Sequence, residues 1–158
     1  MKNDQGFSLV ELLIVVAIIA IVAAIAIPNL QTSKQAANEA GAIQGCRTIA
    51  SAEIAYASTN NQQYADIATL VKGNYLDSRF GTTGQINGYT YAHGDVLGTT
   101  IDGNPPTSFG FIASPGGPGL GRFSFSIGPD QVVRYQGVVD GATFPAGVTA
   151  GDPIGKTN

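Results

Sequence analysis

The stretch that decides the fold is residues 7–27, FSLVELLIVVAIIAIVAAIAI, in which only Ser8 and Glu11 are not apolar. At 1.5 Å per residue, a helix over these positions would be about 31 Å long, close to the hydrocarbon thickness of a bilayer. In lipid, no water is present to satisfy the backbone, so the segment is predicted to be helical despite its many β-branched residues.

Three interpretations of this segment compete. A secretory signal peptide has an apolar core of about 7–15 residues and a small-residue cleavage site. Residues 7–27 form a longer run, and the Pro28-Asn29-Leu30 that follows is a poor cleavage site of that type. A plain membrane anchor fits the length but leaves Glu11 unexplained, because a carboxylate at depth in lipid costs about 2–3 kcal/mol. The third interpretation gives this carboxylate a partner.

The partner comes from the junction with the preceding residues. Residues 1–6, MKNDQG, are polar, carry the single cation Lys2 and end in Gly6. Glycine is unhindered, which suits a scissile position. Cleavage between Gly6 and Phe7 would create an α-amine four residues before Glu11. Between two parallel helices staggered by about a turn, this amine and this carboxylate would meet. In lipid, their attraction would be screened far less than in water.

Residues 6–28 resemble the class III leader and N-terminal helix of type IV pilins and related pseudopilins. The resemblance rests on Gly6, the aromatic Phe7, Glu11 at the fifth mature position and Pro28 at the twenty-second. It implies that Gly6 is read by a prepilin peptidase and that Phe7 becomes the N-methylated terminus. It also implies that Glu11 pairs with the terminal amine of a neighbouring copy and that Pro28 kinks the helix.

The same resemblance implies the architecture and the partners. The expected fold is α+β, with a long N-terminal helix and a small antiparallel sheet packed on its C-terminal half. The expected segments are a leader, 1–6, a transmembrane and filament-core helix, 7–30, and a globular head, 31–158. Expected partners are other copies in a homopolymer, the prepilin peptidase, the inner-membrane assembly machinery and, before assembly, membrane lipid. The precursor would lie in the inner membrane and the filament outside the cell.

Composition separates an apolar front from a loop-rich back. The chain has 21 Gly and 8 Pro, of which residues 73–158 hold 18 and 7. Charged residues make up 12% of the 158 positions, against about 25% in an ordinary soluble domain. The net charge of −3 argues against a surface for nucleic acid or anionic lipid, which would favour an excess of Lys and Arg.

Beyond Pro28, residues 31–57 are predicted to continue the helix to about 50 residues, and residues 59–62 to end it. Gly41 and Gly45 weaken this helix by about 1 kcal/mol each. A stripe of mostly small residues is predicted to pack against the protein's own sheet. The stripe consists of Ala36, Ala40, Ile43, Ala50, Ile54 and Ala57.

The remaining residues predict one short helix and several strands. Residues 64–71 are a short helix closed by Gly73, and Tyr89 and Tyr91 share a strand. Alternating patterns at 109–111 and 123–127 predict half-buried strands. Residues 128–131 are a turn with proline at its first central position, leading into a returning strand at 132–135. Residues 137–158 are predicted to be an extended tail.

Chemistry-bearing residues are sparse. Cys46 is the one cysteine, so no intrachain disulfide forms, and it is predicted to be a small buried apolar side chain. His93 is the one histidine and is predicted to lie at the surface. The glycine-rich residues 115–122 do not match a phosphate-binding loop and are predicted to form a flexible hairpin loop. We therefore expect no catalytic residue, no cofactor, no metal ligand and no nucleic-acid partner.

A calcium site stays open as an alternative, because major pseudopilins can carry one near the C-terminus. The spacing of the nearby carboxylates does not match an EF-hand loop. These carboxylates are Asp95, Asp102, Asp140 and Asp152.

Three functional hypotheses follow. The first is the major subunit of a type IV pilus, with adhesion, twitching motility and DNA uptake all open as roles of the filament. The second is the major pseudopilin of a type II secretion system. The third, an enzyme tethered by one helix, is disfavoured because the head shows no polar constellation of a catalytic site.

Overall fold

The computed structural model describes residues 7–81, 84–94, 108–137 and 152–154. The chain divides into two compact units, Met1–Lys34 and Gln35–Asn158. Helix α1 (Leu9–Thr59) is 51 residues long and has residues in both units. It confirms the predicted long helix and its predicted end.

In the second unit, α1 is followed by a short connection and a short helix, α2 (Ile67–Lys72). Asp66 caps α2 by accepting a hydrogen bond from the N–H of Thr69 at 2.7 Å, and Gly73 closes it. The predicted helix is therefore confirmed, but it begins at Ile67 because the Asp66 side chain accepts the free Thr69 amide of its first turn. A single 3-10 turn, Ser78–Gly81, follows.

Five strands in the described residues form one antiparallel sheet whose spatial order follows the sequence. The bounds are β1 (Tyr89–His93), β2 (Phe111–Pro115), β3 (Phe123–Ile127), β4 (Arg134–Gly137) and β5 (Asp152–Pro153). The predicted turn at 128–131 is present, with the N–H of Gln131 bonded to the carbonyl of Gly128 at 2.9 Å. The returning strand starts at Arg134, two residues later than predicted. Of the predicted tail, residues 138–151 and 155–158 lie outside the described residues.

The core of the second unit lies between the sheet and residues of α1. Cys46 is 0% exposed there, which confirms its predicted burial. The α+β class, with a small sheet packed on the C-terminal half of α1, is also confirmed. Completely or almost completely buried core residues are Ala42, Cys46, Ile49, Leu70, Tyr89, Phe109, Phe111, Ala113, Phe125 and Ile127.

The predicted packing stripe is wrong for half of its members. Ala36, Ala40 and Ile54 are exposed, Ile43 is partly buried, and only Ala50 and Ala57 are buried. Alanine occurs on all sides of this helix, so hydropathy alone does not select a face. The buried face instead runs through Ala42, Gly45, Cys46, Ile49 and Glu53.

The two glycines of this helix are sites of close approach. The side chain of Asn87 lies over Gly41, and the ring and hydroxyl of Tyr91 lie over Gly45, where any Cβ would overlap them. Glycine lowers the helix propensity of α1 at these positions, but it allows β1 and the turn before β1 to pack directly on the backbone of α1.

Strand β3 is buried on both faces, which contradicts the half-buried prediction. Ser124 and Ser126 are 3% and 0% exposed, beside the buried Phe125 and Ile127. Serine is short, and its registered neighbours on β2 and β4 carry longer side chains. The pairs are Ile112 and Arg134 beside Ser126, and Gln136 beside Ser124.

Candidate processing and assembly site

The first described residues form the start of α1. Phe7 and Ser8 precede the helix, and the N–H of Leu12 bonds to the carbonyl of Ser8 at 3.2 Å. The side chain of Phe7 is 86% exposed. An aromatic residue that is exposed and not yet helical is accessible to an enzyme that acts on its backbone nitrogen. Gly6, on the other side of the predicted scissile bond, lies outside the described residues.

Glu11 lies in the first turn of α1. The N-terminus of a helix carries partial positive charge, which favours a carboxylate at that position. Among the described residues, no Lys or Arg forms an ion pair with Glu11. In the uncut chain, the nitrogen of Phe7 is a peptide nitrogen without charge. The pairing predicted for Glu11 therefore requires both cleavage and a second copy of the chain.

The apolar segment is exposed all round. The large apolar side chains from Phe7 to Leu30 are between 47% and 86% exposed. Within the described residues, α1 is the one helix long and apolar enough to cross a membrane, and no part of its most apolar window is buried. A helix that is apolar all round needs lipid or other protein to cover it.

Pro28 lies inside α1, which continues as a helix on both sides. Proline has no N–H and therefore leaves one carbonyl without its intrahelical partner. A group of polar side chains around it bonds to helix carbonyls: Asn29 Nδ2 to Ile25 at 3.1 Å, Thr32 Oγ1 to Asn29 at 2.9 Å, and Ser33 Oγ to Asn29 at 2.8 Å. Back-bonds of this kind often bend helices. Sequence reasoning missed this polar group, although Asn29, Thr32 and Ser33 follow the proline directly.

The one histidine has a structural contact. His93 lies in β1 and is exposed, as predicted, while its Nε2 accepts a hydrogen bond from the N–H of Ile67 at 3.3 Å. Although the residue is exposed overall, its ring is partly covered where it contacts Phe111, and this partial burial lowers the pKa of His93, while the charge of Asp66 opposes that shift. His93 and Asp66 line a cleft of about 360 Å³ between α2, the 3-10 turn and β1.

No group of three His, Cys, Asp or Glu side chains that could hold a metal occurs in the described part of the chain. Asp95, Asp102 and Asp140 lie outside that part, and Asp152 lies in β5. The calcium site therefore stays a prediction.

The β2–β3 loop, residues 116–122, is held at both ends. At its start, Gly116 donates its N–H to the carbonyl of Gly88 at 2.9 Å and accepts from Gln85 Nε2 at 3.1 Å. At its end, the carbonyl of Leu120 accepts from Asn38 Nδ2 at 2.9 Å. The hairpin connection is as predicted, and its ends are tied by these bonds to α1 and to the turn before β1.

A long N-terminal helix whose apolar segment is uncovered, followed by a small antiparallel sheet, defines a pilin-like α+β protein. Residues 1–27 match the family model described as a prokaryotic N-terminal methylation motif. A curated relative, the type IV wide pilus major component PilA4 of Thermus thermophilus, is 39% identical over 71 residues, which are 45% of this chain and 54% of the relative. The chain thus spans about half the length of the curated relative it matches. No solved structure matches. The motif and the relative both support the type IV pilin and pseudopilin family for this chain.

Proposed function

We propose that this chain is a structural subunit of a type IV pilus and not an enzyme. It enters the inner membrane as a prepilin, is cut between Gly6 and Phe7, is N-methylated at Phe7 and polymerises into a surface filament. The observation that carries the proposal is the exposure of every large apolar side chain from Phe7 to Leu30. Lipid covers this surface before assembly, and other copies of the chain cover it afterwards.

Outside the membrane, burial of apolar surface between copies supplies the cohesion of the filament, at about 25 cal/mol for each Å² that is kept out of water. This term is non-directional and does not fix the axial position of one copy against the next. Glu11 fixes it, because an unpaired carboxylate among apolar helices is costly. Its partner is the α-amine that cleavage creates at Phe7 of a neighbouring copy.

Each partner acts at one step of assembly. The prepilin peptidase hydrolyses the Gly6–Phe7 bond and methylates the new amine. The assembly machinery of the inner membrane extracts the mature subunit from lipid. The curated relative is named as a major component of a wide type IV pilus, which favours the pilus over other filaments of this family.

Replacement of Glu11 tests the pairing step. Glu11→Ala and Glu11→Gln are compared with Ser8→Ala, which removes the other polar side chain of the segment without changing charge. We expect a normal membrane pool of subunit in all three variants and loss of sheared surface filaments in the two Glu11 variants alone. Filaments at normal yield from Glu11→Ala would refute the pairing role.

Mass spectrometry of surface filaments tests the processing step. We expect a mature chain that begins with N-methyl-Phe7. A surface filament whose subunits still carry residues 1–6 would overturn the cleavage site.

The alternative is the major pseudopilin of a type II secretion system. The single Cys46 favours it, because it leaves the chain without the C-terminal disulfide common in pilins. Thermal melting of the full chain in detergent micelles, with calcium and with a chelator, separates the two functions. Stabilisation by calcium together with the absence of long surface filaments would favour the pseudopilin.

A further inference from the structure

Glu53 is a buried carboxyl group to which the assembly proposal gives no role. It lies on the core face of α1 and is 0% exposed. Its Oε2 accepts a hydrogen bond from the N–H of Ala65 at 3.0 Å. Its Oε1 has no hydrogen-bond partner among the described residues. An ionised carboxylate in such a place is costly, so the site favours the neutral acid.

The hydrogen bond to Ala65 joins α1 to the connection 60–66, which leads to α2. This bond and the one from Ile67 to His93 hold the end of the connection from opposite sides, from α1 and from β1. Asp66, between the two amides, is the other acidic group that acts on Glu53. These two anchors at the end of the connection are therefore both titratable side chains.

We propose that Glu53 is an acid–base latch, which as a neutral acid keeps the connection 60–66 closed against α1 and on ionisation favours its opening. Opening brings the carboxyl group to water, where ionisation costs little. Proton binding is therefore stronger in the closed state than in the open state, and the two states are coupled to pH.

The direction of the coupling follows from the two protonation equilibria. Burial raises the pKa of Glu53 from 4.5 to about 7 in the closed state, the Ala65 amide opposes this, and the charge of Asp66 adds to it. The stabilisation of the closed state is complete below pH 4.5 and is lost as the pH rises to about 7. The open population then rises by at most about tenfold per pH unit and levels off above the closed-state pKa of about 7.

His93 responds in the opposite direction. Only the neutral ring accepts the Ile67 amide, and partial burial of the ring lowers the pKa of His93. The His93 anchor is therefore weakened as the pH falls and the Glu53 anchor as the pH rises. The two opposite pH effects can therefore be measured apart only when one of the two side chains is replaced.

Amide hydrogen exchange at Ala65 tests the latch in the full chain in detergent micelles. The readout is the protection factor, which removes the intrinsic pH dependence of exchange. In a His93→Gln background, we expect protection of Ala65 to fall with rising pH by up to about tenfold per unit between pH 4.5 and 7. Adding Glu53→Gln should abolish that slope. Adding Glu39→Gln, which changes a second buried carboxyl of α1, should leave it intact. A slope that persists without Glu53, or no slope with it, overturns the proposal.

A second measurement does not depend on how the variants fold. The carboxyl ¹³C shift of Glu53 in the unmodified chain reports its titration directly by NMR. A midpoint near 7 is expected, and a midpoint near the ordinary 4.5 would overturn the latch.

Discussion

Arg122 binds the carboxylate of Glu39 through three donors: its backbone N–H at 2.8 Å, Nε at 3.1 Å and Nη2 at 2.9 Å. The two residues are 83 positions apart in the sequence, so this contact ties the end of the β2–β3 loop to α1. The carboxylate is largely buried, with 10% of its side chain exposed, whereas the guanidinium is 57% exposed. Glu39 is therefore the acceptor that holds the end of the β2–β3 loop against α1.

Glu39→Gln should destabilise the second unit by about 1–3 kcal/mol, because charge-assisted bonds to a buried acceptor are weakened. Thermal unfolding followed by circular dichroism measures the effect. Asp77→Asn is the control, since the Asp77–Arg79 pair is exposed and its loss should not be measurable. Equal effects of the two substitutions would contradict the special role of Glu39.

The effect of Glu39→Gln should also depend on pH. Burial alone would raise the pKa of Glu39, but the hydrogen bonds and charge of Arg122 hold that pKa below its usual 4.5. The stabilisation is therefore present above pH 4.5 and is lost as the pH falls through the lowered folded-state pKa. The difference in melting temperature between the parent chain and Glu39→Gln should shrink on acidification. A constant difference would show that Glu39 acts through packing alone.

Two tyrosines of β1 should respond differently to the same substitution. The hydroxyl of Tyr89 donates to the carbonyl of Phe123 at 2.8 Å, whereas the buried hydroxyl of Tyr91 has no partner among the described residues. Tyr89→Phe should cost about 0.5–1.5 kcal/mol. Tyr91→Phe should be neutral or stabilising, because it removes an unsatisfied buried group. Chemical denaturation of both variants checks this, and a clear loss in Tyr91→Phe would refute it.

Gly45→Ala should destabilise the protein although alanine is the better helix former. The gain in helix propensity is about 1 kcal/mol. The new Cβ would overlap the ring and hydroxyl of Tyr91, and forced overpacking costs about 1–3 kcal/mol. Gly137→Ala in β4 is the control, because no atom of the described residues lies within 4 Å of its Cβ position. If Gly45→Ala melts at a higher temperature than the parent, the close approach of Tyr91 is wrong.

Cys46 should be unreactive while the protein is folded. Burial raises the pKa of its thiol to about 12, so the reactive thiolate is scarce and covered. Labelling by iodoacetamide at mildly alkaline pH should be at least about a hundredfold slower than in denaturant. Mass spectrometry measures both rates, and comparable rates would show that the core around Cys46 opens readily.

Much of this structure is predictable from local patterns. The length and composition of residues 7–27 predict an apolar helix. The spacing of Gly6, Phe7 and Glu11 indicates the type IV pilin and pseudopilin family. The α2 helix and the turn at 128–131 follow from capping and turn residues. Each of these features depends on residues close together in the sequence.

The packing face of α1 is not predictable in this way. Its choice depends on Tyr91, Arg122 and the Ala65 amide, which are distant in sequence from the helix residues they contact. Glu39 and Glu53 are therefore buried against ordinary expectation, because each meets a backbone N–H that folding brings to it. Likewise, the burial of Ser124 and Ser126 follows from the length of neighbouring side chains on other strands.

The fit between Gly45 and Tyr91 has a consequence for how sequences of this kind can diverge. The space above position 45 is filled by the side chain at position 91, so the volumes of the two residues are complementary. A larger residue at 45 is tolerable only where 91 becomes smaller, and the same holds for the contact between Gly41 and Asn87. Related chains should therefore show compensating changes in size at these two pairs, and a chain with bulky residues at both members of a pair should place its sheet differently on the helix.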